Sequence, residues 1–203
     1  MKKIGLMGGT FDPIHYGHLV LAEQVRTRFD LDMVYFIPVG TPPHKEEENI
    51  TNSGHRYFMT LLATITNPYF EMSKIEIENH GTSYTVDTIK KFKEAVDCDA
   101  QLYFITGADA IYELETWKNV KELLSICNFI AAGRPGIDEY QVKKKIEYLN
   151  KKYNGNIILT SVPALAISST DIRQRIKEGK SIKYILPESV EYYIYKNNLY
   201  RTH

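Results

Sequence analysis

Apolar residues in this chain gather into short runs separated by stretches with helical spacing. The runs Lys3 to Met7, Met33 to Val39, Gln101 to Thr106, Asn128 to Ala132 and Asn156 to Ser161 each read as a buried strand. A shorter piece, Phe70 to Ile77, is a candidate strand or edge hairpin. Helical periodicity falls between them, around 18–30, 53–66, 84–96, 109–126 and 138–153. Beyond Ser161 the pattern turns helical, with one helix from about Ser169 to Glu178, stopped by Gly179, and another beginning at Pro187. This alternation predicts an α/β fold: a doubly wound, mainly parallel sheet that binds its ligands at the carboxyl ends of its strands. No repeat or linker divides the chain, so one domain over 1–203 is expected, with a Rossmann-like core to about 165 and a helical C-terminal tail from about 166.

The first strand runs into Gly8-Gly9-Thr10-Phe11-Asp12-Pro13-Ile14-His15-Tyr16-Gly17-His18, after which Leu19, Val20, Ala22 and Val25 recur at helical spacing. A glycine turn between a strand and a helix start favours an anion, because free N–H groups and the positive end of the helix dipole point at it. Gly8 and Gly9 leave room for close approach of a ligand. His15 and His18, three residues apart, share one helix face and can donate to phosphate oxygens. An H-x-x-H pair could also hold a metal, but zinc needs further ligands, and neither Cys98 nor Cys127 lies in a C-x-x-C arrangement.

A second turn of this kind is Ser168-Ser169-Thr170-Asp171, where a serine caps a helix and Arg173 offers a guanidinium fork suited to phosphate. Arg134 sits at the carboxyl end of a predicted strand, another place suited to phosphate. Between them lies a polar segment, Gly40 to Gly54, expected to be a surface loop; its His44-Lys45 pair could reach a phosphate.

Bulk properties narrow the partners. The 203 residues are enough to bury a sizeable core, and 25 basic residues balance 25 acidic ones. Without a basic footprint, nucleic acid is not an expected partner, and the Lys143-Lys144-Lys145 run decorates the outer face of an amphipathic helix. No segment has the ~18 apolar residues that a membrane span needs. No signal-peptide core is present, and two unclustered cysteines suit a reducing cytoplasm. Oligomeric state is left open, a homo-oligomer included.

The Gly8 to His18 string resembles the nucleotidyltransferase superfamily with the H-x-G-H signature. Within it the chain is similar to the bacterial nicotinate mononucleotide adenylyltransferases. Further matches are Thr41-Pro42-Pro43-His44-Lys45, Gly107-Ala108-Asp109 with Trp117 beyond, Arg134-Pro135-Gly136 and Ile167 to Arg173, in the family's order and over nearly the full length. The resemblance implies that ATP is bound by Gly8, Gly9, Thr10, Phe11, His15, His18, Gly107, Asp109, Arg134, Ile167, Ser168, Ser169 and Arg173. It also implies that nicotinate mononucleotide meets His44, Lys45, Thr85, Asp109, Tyr112, Trp117 and Arg134, with Trp117 stacking on the pyridine ring. The implied reaction is adenylyl transfer, with His15, His18, Lys45 and Arg173 as catalytic residues and Mg²⁺ carried mainly by ATP, so no protein metal site is expected. Other readings are an H-x-G-H enzyme acting on nicotinamide mononucleotide or phosphopantetheine, one transferring CMP to a phosphorylated alcohol, and a nucleotide-binding module without turnover. A nucleic-acid-binding protein is the remaining one.

Overall fold

A computed structural model describes residues 1–41, 50–79, 81–96, 99–133, 138–163 and 165–201. Six strands form one sheet: β1 (Lys3–Gly9), β2 (Met33–Pro38), β3 (Phe70–Met72), β4 (Gln101–Gly107), β5 (Asn128–Gly133) and β6 (Ile157–Ser161). Their order is β3-β2-β1-β4-β5-β6, and every neighbouring pair is parallel. The helices are α1 (Tyr16–Phe29), α2 (Ser53–Thr64), α3 (Thr85–Ala95), α4 (Ala110–Glu113), α5 (Val120–Ile126), α6 (Glu139–Tyr153), α7 (Ser169–Lys177) and α8 (Glu188–Lys196).

Side chains alternate across the sheet and divide the core in two. Ile4, Leu6, Leu102, Phe104, Phe129 and Ala131 face α3, α5 and α6, where Ile89, Phe92, Leu123, Val142 and Leu149 pack on them. Met7, Tyr103, Ile105 and Ile130 face the other layer, where Ala22, Val25, Met59, Ile172, Ile176, Val190 and Ile194 from α1, α2, α7 and α8 close over them. Both faces of the sheet are therefore covered, as a parallel sheet requires. The chain winds outward from β1 to β3, then returns to the centre and winds the other way from β4 to β6. Strand order thus reverses between β1 and β4, and the crevice at their carboxyl ends is the default ligand site of such a sheet.

Three expectations are refined. The sheet is wholly rather than mainly parallel. The extended piece at 70–77 contributes only the three residues of β3, an edge strand on β2. The helix expected over 109–126 is broken into α4, a 3₁₀ turn at Leu114–Thr116, and α5. The break has a backbone cause: Trp117 is extended (φ −71°, ψ 146°) and Asn119 is left-handed (φ 50°), so neither can continue a helix. The α6 lysines behave as expected, with Val142, Ile146 and Leu149 buried, but Lys145 and Lys152 also grip Glu115 in the segment leading to Trp117. Among the described residues no helix is long and apolar enough to cross a membrane.

Candidate active site

β1 ends at Gly9, and the turn that follows delivers His15 as the N-cap of α1 and His18 as its third residue. The two rings stack with centroids 3.8 Å apart and an interplanar angle of 25°. Nδ1 of His18 accepts the His15 backbone N–H at 3.3 Å, satisfying one of the donors left over at a helix start. That bond fixes a neutral His18 as the Nε2–H tautomer, so the free nitrogen is a donor. Phe11 packs edge-on against His18, with centroids 5.1 Å apart. His15 is 5% exposed, and its Nδ1 has no hydrogen-bond partner among the described residues.

The glycines of this turn make room for the site's own rings. A Cβ on Gly9 would lie 2.8 Å from the Phe11 ring, one on Gly17 would lie 2.9 Å from His15 Nδ1, and one on Gly8 would lie 3.3 Å from the Phe104 ring. Gly107 is constrained likewise, because a Cβ there would overlap the Asp109 carboxylate.

Burial lowers the His15 pKa to about 4. Burial, and secondarily the charge that His15 would carry, lowers that of His18 to about 3. Both are neutral at pH 7, and an arriving anion would favour their charged forms. Because both values lie below the ordinary 6.5, the unfolded chain takes up these protons first as the pH falls, and stability is lost from about pH 6.5 down to about pH 4 for His15 and about pH 3 for His18. From pH 7 to pH 5 the expected loss is about 2 kcal/mol for His15 alone. Urea unfolding at the two pH values measures it, and a His15→Gln, His18→Gln variant should lose less over the same interval. Equal losses in the two proteins would overturn the assignment.

The turn is held from several sides. Arg56, 1% exposed on α2, donates to the carbonyls of Thr10 (2.8 Å), Thr51 (2.8 Å) and Gly40 (3.0 Å). It therefore binds the ends of β1 and β2 to the entrance of α2, and burial lowers its pKa. Arg173 donates to the Asp12 carbonyl at 2.6 Å and approaches Thr170 Oγ1 at 3.4 Å, and Ser169 Oγ donates to the Pro13 carbonyl at 2.8 Å. Ser168 is the N-cap of α7, its hydroxyl accepting from the Asp171 N–H at 3.1 Å. The Ile167 carbonyl lies 3.7 Å from where a Gly17 Cβ would stand. The two predicted phosphate turns therefore meet: the α7 entrance packs on the turn that opens α1.

At the end of β4, Gly107 and the exposed Asp109 lead into α4, whose Tyr112 is 47% exposed. Trp117 packs edge-on against Phe104 (5.9 Å) and Phe129 (6.3 Å) and is only half-buried. Phe104 in turn lies against Gly8, which links Trp117 to the end of β1. Thr85 opens α3, and the segment before it is tied to the end of β2 by a bridge between Thr41 and Thr82 and by the Ser83 N–H donating to the Thr41 carbonyl at 3.1 Å. Lys118 pairs with Asp87 at 2.9 Å and lies 4.3 Å from the Tyr84 ring centroid, so the Thr85 and Trp117 segments adjoin. Buried Glu76 accepts from Thr88 at 2.7 Å, and burial raises its pKa. His44, Lys45 and Arg134 lie outside the described residues. Among the described residues no three His, Cys, Asp or Glu side chains form a group able to cage a metal.

Sequence reasoning passed over Arg56 and Glu76. Arg56 did leave a signal. With Met59, Thr60 and Ala63 it occupies the buried stripe of α2 at i, i+3, i+4 and i+7, where an arginine is out of place unless it is bound.

The chain is similar to known proteins over nearly its full length. The cytidylyltransferase-like family model matches residues 6–175. A probable nicotinate-nucleotide adenylyltransferase of Thermoanaerobacter sp. (strain X514) is 57% identical over 98% of this chain and 94% of its own length. One of the same description from Moorella thermoacetica is 55% identical over 98% and 92%. A solved structure, Plasmodium falciparum nicotinic acid mononucleotide adenylyltransferase complexed with NaAD, superimposes with a TM-score of 0.78 at 26% identity, covering 98% of each chain. With the fold, the order of the motifs and near-full-length identity above one half all in agreement, this chain belongs to the cytidylyltransferase-like family and, within it, to the nicotinate-nucleotide adenylyltransferases.

Proposed function

We infer that this chain is an enzyme of NAD biosynthesis that joins nicotinate mononucleotide to ATP, giving nicotinate adenine dinucleotide and pyrophosphate. The observation that carries the reading is the stacked, neutral His15–His18 pair, in which the bond from the His15 N–H to His18 Nδ1 leaves a fixed Nε2–H donor beyond the end of β1. The names of relatives more than half identical, and of a structural relative complexed with NaAD, support the choice of substrates.

In this reading a 5′-phosphate oxygen of nicotinate mononucleotide attacks the α-phosphorus of ATP in line, and the bond from that phosphorus to the bridging oxygen of pyrophosphate breaks. The attacking phosphate is already largely ionised at neutral pH, so no general base is needed. Catalysis rests on alignment and on donors aimed at developing charge. His18 donates from Nε2 to the α-phosphoryl or bridging oxygen, and His15 beside it adds a second imidazole. Arg173, with guanidinium donors beyond those spent on Asp12 and Thr170, faces the outer phosphates. Ser168, Ser169 and Ile167 line the ATP end with Gly8, Gly9, Thr10 and Phe11, while Gly107 and Asp109 bracket the two nucleotides. Lys45, His44 and Arg134 complete the phosphate set.

Thr85, at the start of α3, receives the pyridine carboxylate on backbone donors, where a helix N-terminus suits an anion. Trp117 supplies an aromatic face and Tyr112 flanks it. Magnesium belongs to the substrate, entering as Mg·ATP and held by phosphate oxygens and water, which suits an ion that keeps its hydration shell. Cys127 is a buried free cysteine whose thiol burial pushes up to about 12, and we place the enzyme in the reducing cytoplasm.

The test is pyrophosphate release from Mg·ATP with nicotinate mononucleotide, nicotinamide mononucleotide or phosphopantetheine in parallel, with product mass. Dinucleotide formed fastest from the nicotinate substrate is expected. Preference for the amide would overturn the assignment of the Thr85 and Trp117 end, and turnover with phosphopantetheine alone would overturn the substrate. ATP binding without turnover on any of the three would turn the reading to a non-catalytic module.

A further inference from the structure

Asp12 lies between the end of β1 and His15 and is 4% exposed, so its carboxyl group must find donors within the protein. It has two. The Thr51 backbone N–H reaches Oδ2 at 3.3 Å, and the hydroxyl of Tyr200, from beyond α8, reaches Oδ1 at 2.6 Å. The shorter bond has the length of a charge-assisted O–H···O⁻ contact and is the stronger. The same residue's carbonyl accepts from Arg173 at 2.6 Å. Asp12 is therefore the point where the α2 entrance, α7 and the C-terminal segment converge on the turn.

The C-terminal segment adopts a costly backbone to reach it. Asn198 (φ 51°) is the left-handed residue that closes α8, with the Leu199 N–H donating to the Ile194 carbonyl at 3.0 Å, whereas Tyr200 (φ 64°) is a bulky L-residue in a region it enters only when its surroundings hold it there. Tyr200 packs against the core, its hydroxyl 3.9 Å from Met59 Sδ of α2, and a phenylalanine ring would fill the same space. The hydroxyl adds the bond to Asp12. Only Pro13 and Ile14 separate Asp12 from His15, and the Pro13 carbonyl is itself gripped by Ser169. A shift of Asp12 is therefore transmitted to the stacked imidazoles.

We propose that Tyr200 is a positioning residue of the active site: its hydroxyl holds Asp12, and through Asp12 it sets the turn that aims His15, His18 and Arg173. This rests on the adenylyltransferase reading above. Losing the bond misplaces donors that count most in the transition state, so the rate suffers more than substrate affinity.

The experiment compares Tyr200→Phe, Asp12→Asn and the double variant with wild type, using Mg·ATP and nicotinate mononucleotide at a temperature where circular dichroism shows each fully folded. Tyr200→Phe should lower kcat about tenfold with both KM values within about twofold. The double variant should be no slower than Asp12→Asn by more than about twofold, because the two side chains act through one bond. Tyr195→Phe, which removes a half-exposed hydroxyl from α8, is the control and should match wild type. The His15 and His18 ring resonances of labelled protein should move in Tyr200→Phe and stay in Tyr195→Phe. Wild-type kcat in Tyr200→Phe, or fully multiplicative losses in the double variant, would overturn the proposal. If wild type fails to turn over the nicotinate substrate, the functional reading is what falls. The ring resonances then decide the positioning role alone, and unmoved resonances would overturn it.

Discussion

Replacing His18 by alanine lowers kcat by about 10²–10³-fold while the KM for ATP changes far less, the loss characteristic of removing one preorganised donor from a developing oxyanion. The expectation follows from the state of the ring. Burial lowers the His18 pKa to about 3, so the ring is neutral at pH 7, and the bond from the His15 N–H to its Nδ1 leaves the proton on Nε2. A neutral donor binds the ground state weakly and gains as charge grows on the phosphoryl oxygens. Alanine also deletes a helix cap, at a cost of about 1 kcal/mol, so rate and stability must be separated. His18→Gln separates them, because glutamine at the third helical position can accept the N-cap N–H as the imidazole does. It should recover most of the stability and little of the rate. A His18→Ala protein with wild-type kcat would remove His18 from the mechanism.

Arg56→Ala is expected to cost about 3–5 kcal/mol of stability, the range for breaking a buried polar network. Three carbonyls, of the partly buried Thr10, Gly40 and Thr51, would lose the donor that a 1%-exposed Arg56 supplies. The guanidinium works here through its shape, spanning three acceptors that come from different elements. Lysine keeps the charge but is a point donor, so Arg56→Lys should recover less than half of the loss. Urea unfolding measures both variants, and a loss below about 1 kcal/mol for Arg56→Ala would show that these carbonyls find other partners. Activity should fall as well, because Arg56 joins the strand end that leads to His15 to the segment that leads to Thr51.

Much of this was written locally. The five apolar runs became β1, β2, β4, β5 and β6, because a strand covered on both faces must be apolar nearly throughout. The Ser168 cap and the Gly179 stop bound α7 at its two ends, and Pro187 precedes α8. The break at Trp117–Asn119 was not legible. No proline or glycine marks it, and the left-handed Asn119 is a choice that packing makes. The glycines of the opening turn were legible as glycines but not in their reason: Gly9 and Gly17 leave space that Phe11 and His15 occupy, which only the folded neighbours reveal.

The sequence by itself determined most of the elements, the parallel winding and the two capped turns, since hydrophobic period, caps and glycines act over a few residues. It also carried the family, because those turns hold its motifs in order. Only the tertiary structure decided how the turns are held. Arg56 on three carbonyls and Tyr200 on Asp12, 188 residues apart, are contacts between segments that share no local pattern. Their partners are mostly backbone atoms, which every residue possesses and no sequence motif records. The depressed pKa values of the histidine pair were decided there too, because burial penalises the charged imidazole and only the fold supplies the burial.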